Sequence, residues 1–105
     1  MYKISYYEVY EIPTTYPGCG FQVGIFKSQQ KAISTAEKFK KEEFSQNRIL
    51  VNRVTLFVEN DNWEEVKREF KRQQNKFCYD ADKFLKRLSI NGKSPEIRVI
   101  CEVRG

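Results

Sequence analysis

Residues 48 to 59 constrain the fold most, because this segment is apolar on both of its alternating faces. One face carries Leu50, Val54, Leu56 and Val58, and the other carries Ile49, Val51 and Phe57. Apolar side chains on both faces are typical of a strand in a sheet interior, where neither face meets water. We therefore predict a central strand here and expect the other elements to pack around it.

Three further segments alternate as strands do, namely residues 2 to 12, 21 to 26 and 96 to 103. The first two are separated by the turn-rich loop 13 to 20, which predicts a hairpin. The last strand is expected to bury its alternate residues, which are Ile97, Val99, Cys101 and Val103.

A first helix is predicted between the hairpin and the central strand. Ser28 fits the N-cap position, because its hydroxyl can accept a hydrogen bond from the first helical turn. Helical spacing then gives one apolar stripe, made of Ala32, Ile33, Ala36, Phe39 and Phe44. Lys40 and Glu43 fall on the same stripe, so we expect the helix to leave the core near residue 41.

A second helical segment keeps one apolar phase from residue 63 to residue 88, through Trp63, Val66, Phe70, Phe77, Ala81, Phe84, Leu85 and Leu88. A straight helix of this length would span about 39 Å, more than a domain of this size comfortably covers. We therefore predict a break between Asn75 and Asp80, with Asp80 capping the second piece. Capping signals mark both ends: Asp61 with Glu64 or Asn62 with Glu65 at the start, and Asn91-Gly92 at the finish.

The resulting order, ββαβα(α)β, predicts an α+β fold in which residues 1–105 form a single domain. We expect a two-layer sandwich: a four-stranded mixed sheet with the helices on one face, since both helical connections should cross to the same side. The second sheet face would then be uncovered and partly apolar, which favours a partner site or a homodimer interface. Its expected members are Tyr7, Val9, Ile49, Val51, Phe57 and Ile100.

Composition narrows the chemistry. The 105 residues include 19 Lys and Arg against 14 Asp and Glu, a net charge of +5, and no histidine. The absence of imidazole excludes Ser-His-Asp and Cys-His catalysis and removes the commonest transition-metal ligand. Phosphate loops and metal-type carboxylate clusters are also missing from the sequence. We therefore predict a non-catalytic protein without a cofactor or a metal.

The three cysteines indicate a reducing compartment. Cys19, Cys78 and Cys101 are odd in number and far apart, and they have no Cys-x-x-Cys spacing, so we expect free thiols. The N-terminus lacks the apolar run of a signal peptide, and no stretch is long and apolar enough for a membrane span. The expected location is cytoplasmic. Cys101 is expected to be buried, whereas Cys19, between two glycines, is the candidate reactive thiol.

Part of the chain resembles a known pattern. The run Val23-Gly24-Ile25-Phe26-Lys27-Ser28, followed by Ala32, Ala36 and a Val-rich strand ending in Asp61-Asn62-Trp63, is similar to small uncharacterised bacterial and phage domains. The similarity spans about 45 residues of strand, cap and core positions. It implies no activity and no site.

The second helical segment carries a basic stripe opposite its apolar one, formed by Arg68, Arg72, Lys76, Tyr79, Lys83, Lys86 and Arg87. Like charges at helical i, i+4 spacing repel unless an anion neutralises them, so the stripe favours binding of a polyanion. Acidic residues interleave with these cations, and a solvated, charge-laced helix face is the alternative interpretation. The acidic neighbours are Glu64, Glu65, Glu69, Asp80 and Asp82.

Tyrosines form a second cluster, because five of the six lie within the first 16 residues. Tyr6, Tyr7 and Tyr10 occupy both parities of the first strand, so they cannot all point into the core. Exposed rings could anchor a protein partner or stack on bases. Ordinary half-buried strand packing is the alternative.

Together these features predict a small non-catalytic binding protein that recognises a nucleic acid or a nucleoprotein complex through a basic helix face. An accessory or phage-type inhibitor, for example of a host defence nuclease, would fit this description. One alternative is a His-free ribonuclease toxin that combines the tyrosines with Lys3, Arg53 or Arg98. Another alternative is a homo-oligomer formed through the uncovered sheet face.

Overall fold

The computed structural model describes residues 1–42, 46–90 and 93–104, and this part of the chain contains five strands and three helices. In chain order they are β1 (Tyr2–Ile12), β2 (Phe21–Phe26), α1 (Gln29–Glu42), β3 (Arg48–Val58), α2 (Trp63–Gln73), β4 (Lys76–Phe77), α3 (Lys83–Arg87) and β5 (Glu96–Val103). A single 3-10 turn, Asn60–Asn62, precedes α2. None of the described helices has the length and apolarity needed to cross a bilayer.

The strands form one antiparallel sheet in the order β4-β2-β1-β3-β5. The α+β class is confirmed, and β3 is an interior strand, paired with β1 on one side and β5 on the other. The predicted four-stranded mixed sheet is wrong in two respects. Every pairing is antiparallel, and the two-residue strand β4 adds a fifth member beside β2.

The helices cover opposite faces of the sheet, so the predicted two-layer arrangement with helices on one face is also wrong. Directly opposed residues on paired strands share a face, and successive residues alternate between faces. Around α1, Ala32 and Ala36 pack with Val9, Ile49 and Val51. On the other face, residues of α2 and α3 pack with the even-numbered strand residues Tyr6, Val54, Leu56 and Val58.

The handedness rule for parallel crossovers applies to the connection through α1 but not to the connection through α2 and α3. Strands β2 and β3 each run antiparallel to β1 and are therefore parallel to each other, with α1 crossing over β1 between them. Strands β3 and β5 are antiparallel neighbours, so the rule for parallel crossovers does not decide which face their connection covers. That connection passes through α2 to the far edge, pairs β4 with β2, and returns through α3.

The predicted break in the second helical segment is confirmed. Asn75 has φ 65° and Asp80 has φ 53°, and these left-handed conformations interrupt the helix on either side of β4. The predicted role of Asp80 as a cap is wrong. The cap position of α3 is Asp82, and Asp80 instead accepts a hydrogen bond at its carbonyl oxygen from the Lys83 N–H, 3.0 Å away.

The predicted helix starts have different outcomes. Ser28 caps α1 as expected, because its Oγ accepts a hydrogen bond from the Lys31 N–H at 3.3 Å. At α2, neither predicted capping pair forms a side-chain cap. The Asn62 amide instead donates to the Leu88 carbonyl at 3.2 Å and ties α2 to the end of α3. The predicted stripe member Phe44 and the predicted terminator Asn91-Gly92 lie outside the described residues.

Candidate nucleic-acid interface

Helix α1 covers only part of its sheet face, and the remainder is open. The strand register arranges this open half in rows across β1, β3 and β5. The rows are Tyr7, Arg53 and Arg98; Ser5, Thr55 and Glu96; and Lys3 with Phe57. A shallow groove of about 530 Å³ crosses these rows. Its lining residues are Lys3, Ser5, Arg53, Thr55, Glu96, Ile97 and Arg98.

Four cations dominate this half of the face: Lys3, Arg53 and Arg98 from the strands, and Lys93 from the segment before β5. We call these four residues the basic face. All four side chains are exposed. Within the described residues, none of them has a carboxylate oxygen within 4.0 Å, although Glu96 lies in the next row. Among the described residues these four cations therefore have no close ion-pair partner, and Glu96 is the acidic side chain in the lining of the groove.

Arg53 on β3 and Arg98 on β5 are direct cross-strand partners. Side chains in this relationship stand about 5 Å apart at Cβ, and like charges there are destabilising. A guanidinium group can donate two parallel hydrogen bonds to phosphate oxygens, and the register places two arginines side by side. An anion bound between the two side chains would remove this repulsion.

Phe57 supports the two lysines from beneath. Its ring is only 3% exposed, and the Lys3 and Lys93 ammonium groups lie 5.4 Å and 4.2 Å from its centroid. These cation–π contacts orient both ammonium groups on the outer side of the sheet. Because the Phe57 ring is buried beneath these lysines, it offers no face for stacking, and its contribution to this surface is to position positive charge.

Two hydroxyl groups lie between the cations. Ser5 Oγ and Thr55 Oγ1 are 3.0 Å apart across β1 and β3, and they form the middle row of the groove. Hydroxyl groups donate hydrogen bonds to phosphate oxygens as well as to each other. The groove thus combines charge with neutral donors along its length.

The predicted basic stripe is divided by the break in the helix. Arg68 and Arg72 lie on α2, Lys76 on β4, Tyr79 in the following turn, and Lys83, Lys86 and Arg87 on α3. Two of these cations are paired: Arg72 with Glu69 at 2.7 Å, and Lys86 with Asp82 at 3.2 Å. The structure does bring Lys83 and Arg87 together at a pocket of about 230 Å³, but Asp80 lines the same pocket.

The three candidate tyrosines do not share a surface. Tyr6 is fully buried beneath α2 and α3 and is therefore not a partner-binding ring. Tyr10 lies on the same sheet face, with its ring packed against Gly20. Only Tyr7 lies on the open side, half-buried and directly opposite Arg53. The apolar interface expected on this side is buried within the chain, because Val9, Ile49 and Val51 pack under α1.

A buried polar cluster explains the position of Tyr6. Its hydroxyl donates to Asp82 Oδ2 at 2.5 Å, and the same oxygen pairs with Lys86 Nζ. The Asp82 N–H donates to Gln22 Oε1 at 3.2 Å, which attaches the start of α3 to β2. Burial, together with the neighbouring Asp82 carboxylate, raises the pKa of Tyr6 far above its usual value. Tyr6 therefore stays protonated and acts as a hydrogen-bond donor.

Glu8 is the second carboxyl group in this cluster. It is 3% exposed, and burial raises its pKa to about 7, with Asp82 adding to the increase and Lys86 opposing it. Glu8 Oε2, Gln22 Nε2 and Asn52 Oδ1 have no hydrogen-bond partner among the described residues. Buried polar atoms in this state cost stability. Because none of them is accessible, the cluster belongs to the interior and not to a surface site.

The thiols do not add a site. All three cysteines are free, with Cys19 and Cys78 exposed and Cys101 half-buried under α1. Burial raises the pKa of the Cys101 thiol, with Glu37 adding to the effect, so this thiol is less reactive than an ordinary one. In the described ranges, no group of three or more His, Cys, Asp or Glu residues could hold a metal ion.

Sequence reasoning found part of the basic face without locating it. Lys3, Arg53 and Arg98 were named only with the ribonuclease alternative, and Lys93 was missed. These residues come together through strand register, because opposed residues on neighbouring strands share a face. The pairing of β5 with β3 cannot be predicted from the sequence of either segment alone. In comparisons with known protein families, curated proteins and solved structures, no match to this chain was found.

Proposed function

We propose that this protein binds single-stranded nucleic acid through the basic face. The observation that carries the proposal is the opposition of Arg53 and Arg98 on an open sheet surface, with no carboxylate oxygen of the described residues within 4.0 Å of either side chain. Lys3 and Lys93 extend the same charge along the groove. A phosphodiester backbone supplies anions at regular spacing, and it releases counterions when cations replace them.

The shape of the surface favours a single strand over a duplex. Proteins that read duplex DNA usually insert a helix or a two-stranded ribbon into the major groove. Here the cations stand on strands β1, β3 and β5 and on the segment before β5, along a shallow groove, and none of the four lies on a described helix. A flexible single strand can follow such a surface. Contacts to phosphate oxygens carry no sequence information, so we expect little preference among bases.

We extend the proposal to a binder that occupies a nucleic acid or a nucleoprotein complex without cutting it. An accessory or inhibitory role against a nuclease complex belongs to this class. The ribonuclease alternative is favoured by one observation, the placement of Tyr7 beside Arg53 on the open face with Lys3 two rows away. The two functions differ in whether bound RNA stays intact.

Fluorescence anisotropy with a labelled single-stranded RNA and the matching DNA tests the proposal. Arg53→Glu should weaken binding by at least about tenfold, the loss typical of a hydrogen-bonded charged contact. Arg68→Glu, an exposed arginine on α2, is the matched control and should bind as the wild type does. Equal loss in both variants, or none in Arg53→Glu, would contradict the proposed surface.

The same incubations decide between binding and cleavage. RNA recovered after binding should run at its original length on a denaturing gel. Shortened products that disappear in Arg53→Glu would overturn the binding function in favour of the ribonuclease. Shortened products that persist in Arg53→Glu but disappear in Lys3→Glu, Arg98→Glu or Tyr7→Phe would also favour the ribonuclease, whereas products that persist in all four variants would come from a contaminating nuclease.

A further inference from the structure

The outer edge of β5 is unpaired in the described part of the chain, where the sheet order ends at this strand. The exposed end of β5 also carries two apolar side chains, Ile97 at 57% and Val99 at 58% exposure. A strand edge with exposed apolar residues is a template for pairing with another strand. The edge therefore needs either a partner strand or a device that blocks one.

The side chains of this edge divide cleanly between the two faces. Glu96 and Arg98 lie on the side of the basic face, opposite Thr55 and Arg53. Ile97 lies on the other face, opposite Val54. A register shift beside Val51 interrupts the alternation beyond Val99. Regular pairing with another strand is thus available over Glu96–Val99.

We propose that β5 pairs with β5 of a second copy of this chain, antiparallel and with Ile97 opposite Ile97. In this register Glu96 of each copy lies opposite Arg98 of the other, which forms two equivalent ion pairs. The two Ile97 side chains meet on the opposite face. Opposed charges and opposed β-branched side chains each stabilise a cross-strand pair.

Charge selects this register over its neighbours. A slip by one residue would match the basic-face side of one copy with the opposite face of the other, so the two sheets could not continue with equivalent faces together. A slip by two residues brings Arg98 opposite Arg98 in one direction and Glu96 opposite Glu96 in the other. Both even alternatives are repulsive, so the exposed segment has one self-complementary register.

The geometry of the proposed pairing determines both how strongly the two copies associate and where the two basic faces lie. Pro95 lacks an N–H and the register shift bends the other end, so the paired segment is short. A contact of this length buries less than the roughly 1,200 Å² of a standard stable interface, and we expect weak association. The two-fold axis is perpendicular to the sheet, which places both basic faces on the same side. Arg98 is the member of the basic face that pairs with Glu96 of the second copy, whereas Lys3, Arg53 and Lys93 take no part in the pairing.

Sedimentation velocity over a concentration series, without nucleic acid, tests the dimer independently of the proposed function. The wild type should shift from monomer to dimer as concentration rises. Arg98→Glu and Glu96→Arg should each remain monomeric, because each variant opposes like charges twice. An equimolar mixture of these two variants should regain the dimer, since both opposed pairs become attractive again.

Circular dichroism of each variant confirms that the fold is kept, because both side chains are exposed. A wild type that stays monomeric at every concentration would overturn the proposal. Single variants that dimerise as the wild type does would also overturn it. A mixture that stays monomeric would overturn the register. The double variant Glu96→Arg with Arg98→Glu provides a second check, because it should dimerise with itself.

Discussion

Arg53 and Arg98 stand directly opposite each other on the antiparallel strands β3 and β5, and no described carboxylate lies within 4.0 Å of either guanidinium. Like charges in this position destabilise a sheet. By contrast, Arg72 and Lys86 on the opposite side of the molecule are neutralised by nearby carboxylates. Within the described part of the chain, uncompensated positive charge is therefore concentrated at this pair, and our proposal places the bound anion there.

The first prediction concerns this repulsion in the protein alone. Arg53→Gln should leave the free energy of unfolding unchanged or raise it by a few tenths of a kcal/mol, because it removes one of two like charges. Arg98→Gln should have the same effect, and the double variant should gain little more. Urea unfolding at low salt measures all three. A clear loss of stability in either single variant would contradict the repulsive pair.

The second prediction concerns the hydrogen bond that joins β1 to α3. Tyr6→Phe removes the donor to the buried Asp82 carboxylate and should lower the free energy of unfolding by about 1–3 kcal/mol. Tyr7→Phe is the matched control on the same strand and should cost little, because Tyr7 is half-buried on the other face. Equal effects in thermal denaturation would show that Asp82 does not depend on Tyr6.

The third prediction concerns Glu8 and pH. The pKa of Glu8 is about 7 in the folded protein, against 4.5 as its ordinary value, so the folded state holds the proton more tightly than the unfolded chain. The stability contributed by protonated Glu8 is fully present below pH 4.5 and is lost as the pH rises through 7. This pKa difference corresponds to about 3 kcal/mol.

Glu8→Gln tests this linkage, since glutamine has the same shape and does not titrate. Its free energy of unfolding, measured with urea at pH 5 and pH 8, should vary less with pH than that of the wild type, and the variant should be the more stable protein at pH 8. Wild-type and variant profiles that run parallel between these two values would show that Glu8 does not titrate in this range.

The fourth prediction concerns the attachment of β4. A Cβ atom at Gly24 would lie 2.8 Å from the Lys76 carbonyl oxygen, so β4 can pair with β2 only because this residue has no side chain. Gly24→Ala should therefore cost about 1–3 kcal/mol through overpacking. Gly18→Ala is the control, because no atom lies within 4 Å of its added carbon. The difference in melting temperature between the two variants measures the effect.

Local pattern predicted the elements well. Alternation located β1, β2, β3 and β5, and the Ser28 cap located the start of α1. The break between Asn75 and Asp80 followed from length alone, because a continuous helix would have exceeded the size of the domain. Local signals suffice where a residue's role depends on its sequence neighbours.

Pairing could not be predicted in the same way. The two-residue strand β4 has no pattern of its own, and it forms because α2 ends beside the free edge of β2. The sequence also could not decide which sheet face α2 and α3 cover, since no handedness rule governs antiparallel neighbours. The Trp63 to Leu88 stripe held for Val66, Phe70, Ala81 and Leu85, whereas Phe77 contacts Phe39 on the opposite face.

The composition of the candidate site likewise depends on strand pairing and helix placement between segments that are distant in sequence. Arg53 and Arg98 are 45 positions apart and become neighbours only through the β3–β5 register. The basic stripe was predicted from a single helical phase along residues 68 to 87, but the break between Asn75 and Asp80 places its members on α2, β4, the following turn and α3. Tyr6 was predicted as a surface ring because period-two alternation does not say which face is covered, and the structure buries it under α2 and α3.

The salt dependence of single-stranded nucleic acid binding tests the central claim most directly. The logarithm of the binding constant decreases linearly with the logarithm of the salt concentration, and the magnitude of this slope is smaller by about 0.7 for each phosphate contact that is lost from a single strand. Arg53→Gln should therefore reduce the slope by about that amount, while Arg68→Gln should leave it at the wild-type value. Identical slopes for the wild type and Arg53→Gln would contradict a phosphate contact at the basic face.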